Sequence, residues 1–152
     1  MPLSEKETTL LKDLKGQEKL CIEKYRKHAS CAKDPQLSEL FAQIENIERQ
    51  HLETLEKMEK GAVMMGNSSS SNSSPKTFTA HYNMAETEDK RNDMYLCSDV
   101  LATEKHASSL YNTCVFEFTT ENQRNALNHI QKEEQEHGKM IYDYMKVNSM
   151  YP

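Results

Sequence analysis

Two Glu-x-x-His segments, Glu48 to His51 and Glu134 to His137, stand 86 residues apart, each inside a stripe that is otherwise apolar. Few folds accept such a pattern, because acidic and imidazole groups on an apolar face must meet partners when that face is buried. The stripes step by 3 and 4 residues, the spacing of one face of an α-helix. The first carries Leu11, Leu14, Glu18, Cys21, Tyr25, His28 and Ala32; the second Leu37, Phe41, Ile44, Glu48, His51, Leu55 and Met58. The third carries Cys97, Val100, Glu104, Ala107, Tyr111, Cys114 and Phe118; the fourth Leu127, Ile130, Glu134, His137, Ile141 and Tyr144. Near the middle of each stripe the apolar rule is broken by Glu, or by Glu and His.

Helix boundaries follow from capping signals. Asp34-Pro35 pairs an N-cap Asp with Pro at the first helical position, and Thr120 with Gln123 forms a capping box. Helices are expected near 4–32, 36–60, 82–117 and 121–147. Residues 61–80 are Ser/Asn-rich and read as a flexible crossover between the helical hairpins 4–60 and 82–147. A helix of about 25 residues spans roughly 38 Å, and an extended connector of about 19 residues reaches roughly 60 Å, enough to run the bundle's length. The whole chain, 1–152, therefore reads as one all-α domain: a four-helix bundle of two hairpins joined by a long crossover. Composition agrees, since Gly (4) and Pro (4) are scarce and 28% of residues are charged.

The same offset of 86 relates Glu18 to Glu104, Tyr25 to Tyr111, Ile44 to Ile130, Glu48 to Glu134 and His51 to His137, the mark of an internal duplication. Glu18 and Glu48 are equidistant from the first break near residue 33, and Glu104 and Glu134 from the second near residue 119. In antiparallel hairpins all four then lie at one level. Residues i and i+3 share a helix face, so four carboxylates and two imidazoles converge in a single layer. Four ionised carboxylates without compensation repel one another and suffer desolvation. Two divalent cations would neutralise them. One Glu from each of two helices and a Glu-x-x-His from each of the other two is the donor set of di-metal carboxylate bundles. Its oxygen-rich character suits iron or manganese, with zinc the substitute expected in recombinant material. Glu18 and Glu104 are the expected terminal ligands, Glu48 and Glu134 the bridges, and His51 and His137 one per metal. A single Glu-x-x-His usually marks a solvated face; two, each in a seam with a seam Glu, favour metal over a structural polar layer. A layer that only staples the bundle, or one inherited and now empty, stays open.

Tyr25 and Tyr111, about 10.5 Å along the helix from their own Glu, read either as hydrogen-bond donors to ligand carboxylates or as core tyrosines. His28, His81, His106 and His129 read as surface residues, and Glu45, Glu53, Glu56, Glu133 and Glu136 as the solvated face. Gly138 reads as a point of close helix approach or as incidental. Outward apolar residues Ile22, Ile47 and Phe116 point to a homodimer or to partner helices.

Other classes are disfavoured. The longest apolar run, Ala62-Val63-Met64-Met65, is far too short to span a membrane. A net charge of −5 without a basic stripe argues against nucleic acid. The start, Met-Pro-Leu-Ser-Glu-Lys-Glu, lacks the basic and apolar regions of a signal peptide, so synthesis in the cytoplasm is expected. Cys21, Cys31, Cys97 and Cys114 form no C-x-x-C and read as reduced, half-buried residues.

The hairpin Glu18…Tyr25…Glu48-x-x-His51 resembles the ferritin-like and rubrerythrin superfamily. The second half resembles the spore coat protein F family of endospore-forming bacteria. This likeness is carried by Asp93-Met94-Tyr95-Leu96-Cys97-Ser98-Asp99, Leu101-Ala102-Thr103-Glu104-Lys105, Tyr111-Asn112-Thr113 and His129-Ile130-Gln131-Lys132-Glu133-Glu134-Gln135-Glu136-His137-Gly138. The family's Gly-x-x-Met-Tyr ending is reflected in Asn148-Ser149-Met150-Tyr151. The resemblance implies a sporulation protein placed in the spore coat among other coat proteins, with a di-iron or di-manganese site. The alternative is a di-metal oxidoreductase acting on peroxide or O2, similar to rubrerythrin or manganese catalase. Against a standard rubrerythrin or storage cage stand the missing rubredoxin-like module, Ala at position 107 where rubrerythrins place a second Glu, and the lack of a fifth helix.

Overall fold

The computed structural model describes residues 2–61 and 77–151. Its elements are α1 (Glu5–Cys31), α2 (Pro35–Glu59), α3 (Glu88–Glu117) and α4 (Glu121–Val147), with no strand among the described residues. No described helix is long and apolar enough to cross a membrane. Most of the Ser/Asn-rich crossover, 62–76, lies outside the described residues.

Each helix starts where a side chain satisfies the first free N–H groups. Ser4 and Glu7 form a reciprocal capping box at α1. Asp34 accepts from the Gln36 N–H at 2.9 Å, with Pro35 at the first helical position of α2. Thr87 caps α3, accepting from the Lys90 N–H. At α4 only half of the expected capping box forms: Thr120 accepts from the Gln123 N–H at 3.4 Å, while the buried Gln123 Oε1 finds no partner. The third helix also begins later than 82. Residues 82–87 are non-helical, because Asn83 accepts from the Ala85 N–H to form a local turn and the helix is capped only at Thr87. The Tyr82 hydroxyl donates to Asp93 at 2.7 Å, and Asn148 accepts from the His81 and Tyr82 N–H groups, tying this segment to α3 and the end of α4.

Helices α1 and α2 pair as one hairpin and α3 and α4 as the other; α1 then packs on α3 and α2 on α4. Each hairpin turn is latched by a buried acid of the other hairpin. Asp93 on α3 accepts from the N–H groups of Lys33 and Asp34 at 2.8 and 2.9 Å, and Glu7 on α1 accepts from the Thr119 N–H at 3.1 Å. Glu7 and Asp93, like Lys33 and Thr119, stand 86 residues apart, so the same offset relates the latches at the two ends of the bundle.

The apolar interior falls into two clusters. One holds Tyr25, Phe41, Ile44, Val100, Ile141 and Tyr144 among others. The second holds Leu11, Leu14, Leu55, Tyr111, Leu127 and Ile130 among others. Between them lies one polar layer.

Candidate metal centre

That layer consists of Glu18 on α1, Glu48 and His51 on α2, Glu104 on α3, and Glu134 and His137 on α4. None is more than 2% exposed. The helical spacing sends them inward with the Leu, Ile and Tyr residues of the same stripes, and those residues seal the layer above and below. The six candidate ligands thus come together as the spacing of the motifs requires.

The layer has near-twofold symmetry. His51 Nδ1 lies 2.8 Å from Glu134 Oε1, and His137 Nδ1 lies 2.9 Å from Glu48 Oε1. His51 Nδ1 is 3.8 Å from Glu18, and His137 Nδ1 is 3.6 Å from Glu104. The imidazole rings stack with centroids 5.9 Å apart. The tyrosines act reciprocally across the hairpins: the Tyr25 hydroxyl donates to Glu104 Oε1 at 2.8 Å, and the Tyr111 hydroxyl to Glu18 Oε1 at 2.6 Å.

Two groups of donors emerge, Glu18/Glu48/His51/Glu134 and Glu48/Glu104/Glu134/His137. Within each, one ligand atom per residue lies within 4.8 Å of all the others. Glu48 and Glu134 belong to both groups, while each group has its own Glu and its own His. Either group could hold a cation. Among the described residues, every buried side-chain N or O atom lacking a hydrogen bond belongs to these six, apart from Gln123 Oε1. Buried polar atoms without partners are rare and costly in proteins, so such a cluster fits donors aimed at a common ligand.

Protonation equilibria show the strain of the layer without compensating charge. Burial pushes the carboxyls of Glu48 and Glu134 well above the usual carboxylate range, and neighbouring acids push further. Burial would also raise Glu18, but its contacts with Glu48, His51 and Tyr111 outweigh that and hold it low. Burial alone would lower His51; its contacts with Glu133, Glu134, Glu18 and Glu48 prevail and raise it well above an ordinary histidine. Cys21, beside the layer, is pushed up by burial and by the surrounding carboxylates, which makes it an unreactive thiol.

Several surface assignments are corrected. Glu133 is not a solvated residue: its Oε1 lies 2.8 Å from His51 Nε2, with His129 at 3.3 Å on its outer side. Its counterpart by the 86-residue offset is Ile47, so the repeat gave no signal for it. His28 is partly buried and held by Asp99 at 2.8 Å, an acid that Lys24 also contacts. Ile22 is buried, whereas Phe116 is 83% exposed. Gly138 is not demanded by close packing, since a Cβ there would meet Leu101 Cδ1 at an ordinary 3.7 Å. Cys21, Cys97 and Cys114 are buried free thiols and Cys31 is exposed.

An all-helical four-helix protein with a buried acid–imidazole layer is the class that fold and site define. Residues 92–152, most of α3 and all of α4, match the family model of the Coat F domain. The match covers most of the second hairpin and makes that part of the chain similar to the Coat F domain. No curated protein and no solved structure matches the chain.

Proposed function

We propose that this chain is a spore coat protein whose ferritin-like bundle holds two divalent cations, iron or manganese, at its centre. Glu18 and Glu104 would be terminal ligands, Glu48 and Glu134 would bridge, and His51 and His137 would each serve one cation. The observation that carries this reading is the cluster of buried carboxylate and imidazole atoms left without hydrogen bonds in two groups that share two carboxylates. Two cations would balance four carboxylates and could supply one-electron redox chemistry. The chain's own residues fix the geometry, with Tyr25 and Tyr111 orienting the terminal carboxylates and Glu133 orienting His51. The Coat F match supports association with other coat proteins, and the exposed rings of Phe116 and Tyr95 offer contacts for them.

Elemental analysis of freshly purified protein should find about two iron or manganese ions per chain, as this ligand set implies. Glu48→Ala combined with Glu134→Ala should abolish the binding. Wild-type protein that takes up no metal on reconstitution would overturn the proposal. A second reading, an oxidoreductase acting on peroxide or O2, is favoured by a groove between α3 and α4 that reaches Glu104 and Glu134. If metal-loaded protein consumes peroxide no faster than the His51→Ala, His137→Ala variant, the enzyme reading fails.

A further inference from the structure

We propose that the groove between α3 and α4 is the portal through which small neutral or anionic ligands, of the size of azide or hydrogen peroxide, reach the cations; this rests on the di-metal reading. The groove has a volume of about 640 Å³, and Glu104 and Glu134, at most 2% exposed, form part of its wall, so the carboxylates lie directly behind its floor. Both belong to the donor group that includes His137. A ligand in the groove therefore approaches that group from the side.

The duplication shows which residues open it. By the 86-residue offset, Ser108 and Gly138 in the groove wall correspond to Ile22 and Leu52 on the α1/α2 face. Ile22 is buried, filling with a branched side chain the place that Ser108 leaves with a hydroxyl. Gly138 leaves space next to Leu101, because a Cβ there would only touch Leu101 and nothing requires its absence. Gln131 donates to the Ser108 carbonyl at 3.0 Å, linking the two helices by a polar contact instead of an apolar one. On the opposite face the corresponding residue, Glu45, is held by Arg49 at 2.6 Å. The layer itself obeys the twofold; the walls beside it do not.

The rim sets the class of ligand. Lys105 and Lys139 line the groove, the latter held by Asp143 at 2.6 Å, so the mouth is not acidic although the floor is. Cationic lysines favour anions and tolerate small neutral molecules.

The test uses the full-length protein loaded with Co(II), with azide as probe and stopped-flow visible absorbance as readout. Ser108→Ile with Gly138→Leu copies the bulkier α1/α2 residues into the α3/α4 groove and touches no candidate ligand. Cobalt stoichiometry should be unchanged, and azide association should slow about tenfold, the effect of a barrier raised by about 1.4 kcal/mol. Adding Ile22→Ser with Leu52→Gly to the closed variant should open the opposite face and restore the rate. Should the double substitution lose helical circular dichroism, Ser108→Ile alone should still slow azide. Equal azide rates in wild type and closed variants, or no azide response in cobalt-loaded wild type, would overturn the portal and leave the di-metal reading standing. Wild type that binds no cobalt would overturn both.

Discussion

His51 and His137 are equivalent in sequence and in their inner contacts, yet their outer nitrogens differ. His51 Nε2 lies 2.8 Å from Glu133, whereas His137 Nε2 is buried without a hydrogen-bond partner. A carboxylate behind a ligating imidazole fixes its orientation and raises its basicity, and losing such a partner costs roughly 10–100-fold in metal affinity. A hydrogen bond to a charged group is worth about 1.5–3 kcal/mol. Glu133 keeps some solvent access and is shared with His129 at 3.3 Å, which screens it. The lower end of the range follows, about tenfold in affinity at about 1.4 kcal/mol per decade. The two cations should therefore bind unequally, the tighter one in the group containing His51. Calorimetric titration of the metal-free protein with Mn(II) should resolve two steps, and Glu133→Gln should merge them by weakening the tighter one. Ile47→Glu, which places an acid at the duplicated position, should strengthen the weaker step. Identical affinities in the wild type, or a gap that survives Glu133→Gln, would refute the reasoning.

Two further outcomes follow from the same layer. Tyr25→Phe and Tyr111→Phe each remove a buried hydroxyl that donates to a carboxylate, so each should destabilise the protein by about 1.5–3 kcal/mol, and by similar amounts given their symmetry; urea unfolding measures this, and an effect confined to one of them would contradict the twofold. The metal-free protein should lose stability as pH rises. Groups held low when folded, Glu7, Glu18, Asp99 and Glu133, contribute stability that is complete above their unfolded values and is lost only in acid. Glu48 and Glu134 are raised, so their contribution is complete below the unfolded value of 4.5 and is lost as pH climbs through the folded values; His51 behaves alike from 6.5 upward. Melting temperature in chelator should thus fall as pH rises above the unfolded carboxyl value of 4.5. Bound cations, which compete with protons, should flatten or reverse the slope. A melting temperature that rises with pH in the metal-free protein would refute the assignment.

Most of the layer was legible because helical periodicity is a local code. A stripe at steps of 3 and 4 fixes which residues face inward whatever the neighbours are, and the N-caps at Asp34 and Thr120 fix where the hairpins turn. Equal spacing about those turns then sets the height of all six donors. What escaped depends on how helices sit beside one another. Glu133 lies one residue from a candidate ligand, on a face that looks solvated in isolation; α4 brings it against the outer edge of His51 on α2. Asp93 carries no local signal either, and the Ser4-x-x-Glu7 capping box announces only the start of α1, since each acid also serves the turn of the other hairpin. The late start of α3 reflects Asn83 and Thr87, whose side chains satisfy backbone N–H groups in a way that competes with helix extension.

The duplication turns these differences into an argument about function. Inner donors, tyrosines and turn latches all obey the 86-residue offset, which is what a bundle closed by a symmetric charged layer demands of both halves. Most other positions differ between the halves, and three of the differences lie just outside that layer: Glu133 against Ile47, Ser108 against Ile22, Gly138 against Leu52. The folding of two equivalent hairpins does not require them to differ there. All three lie in the immediate surroundings of the donors: Glu133 holds a histidine, and Ser108 and Gly138 line the groove proposed as a portal. A layer serving only as a staple gains nothing from one open side and one better-held histidine, whereas two cations with separate tasks would use both.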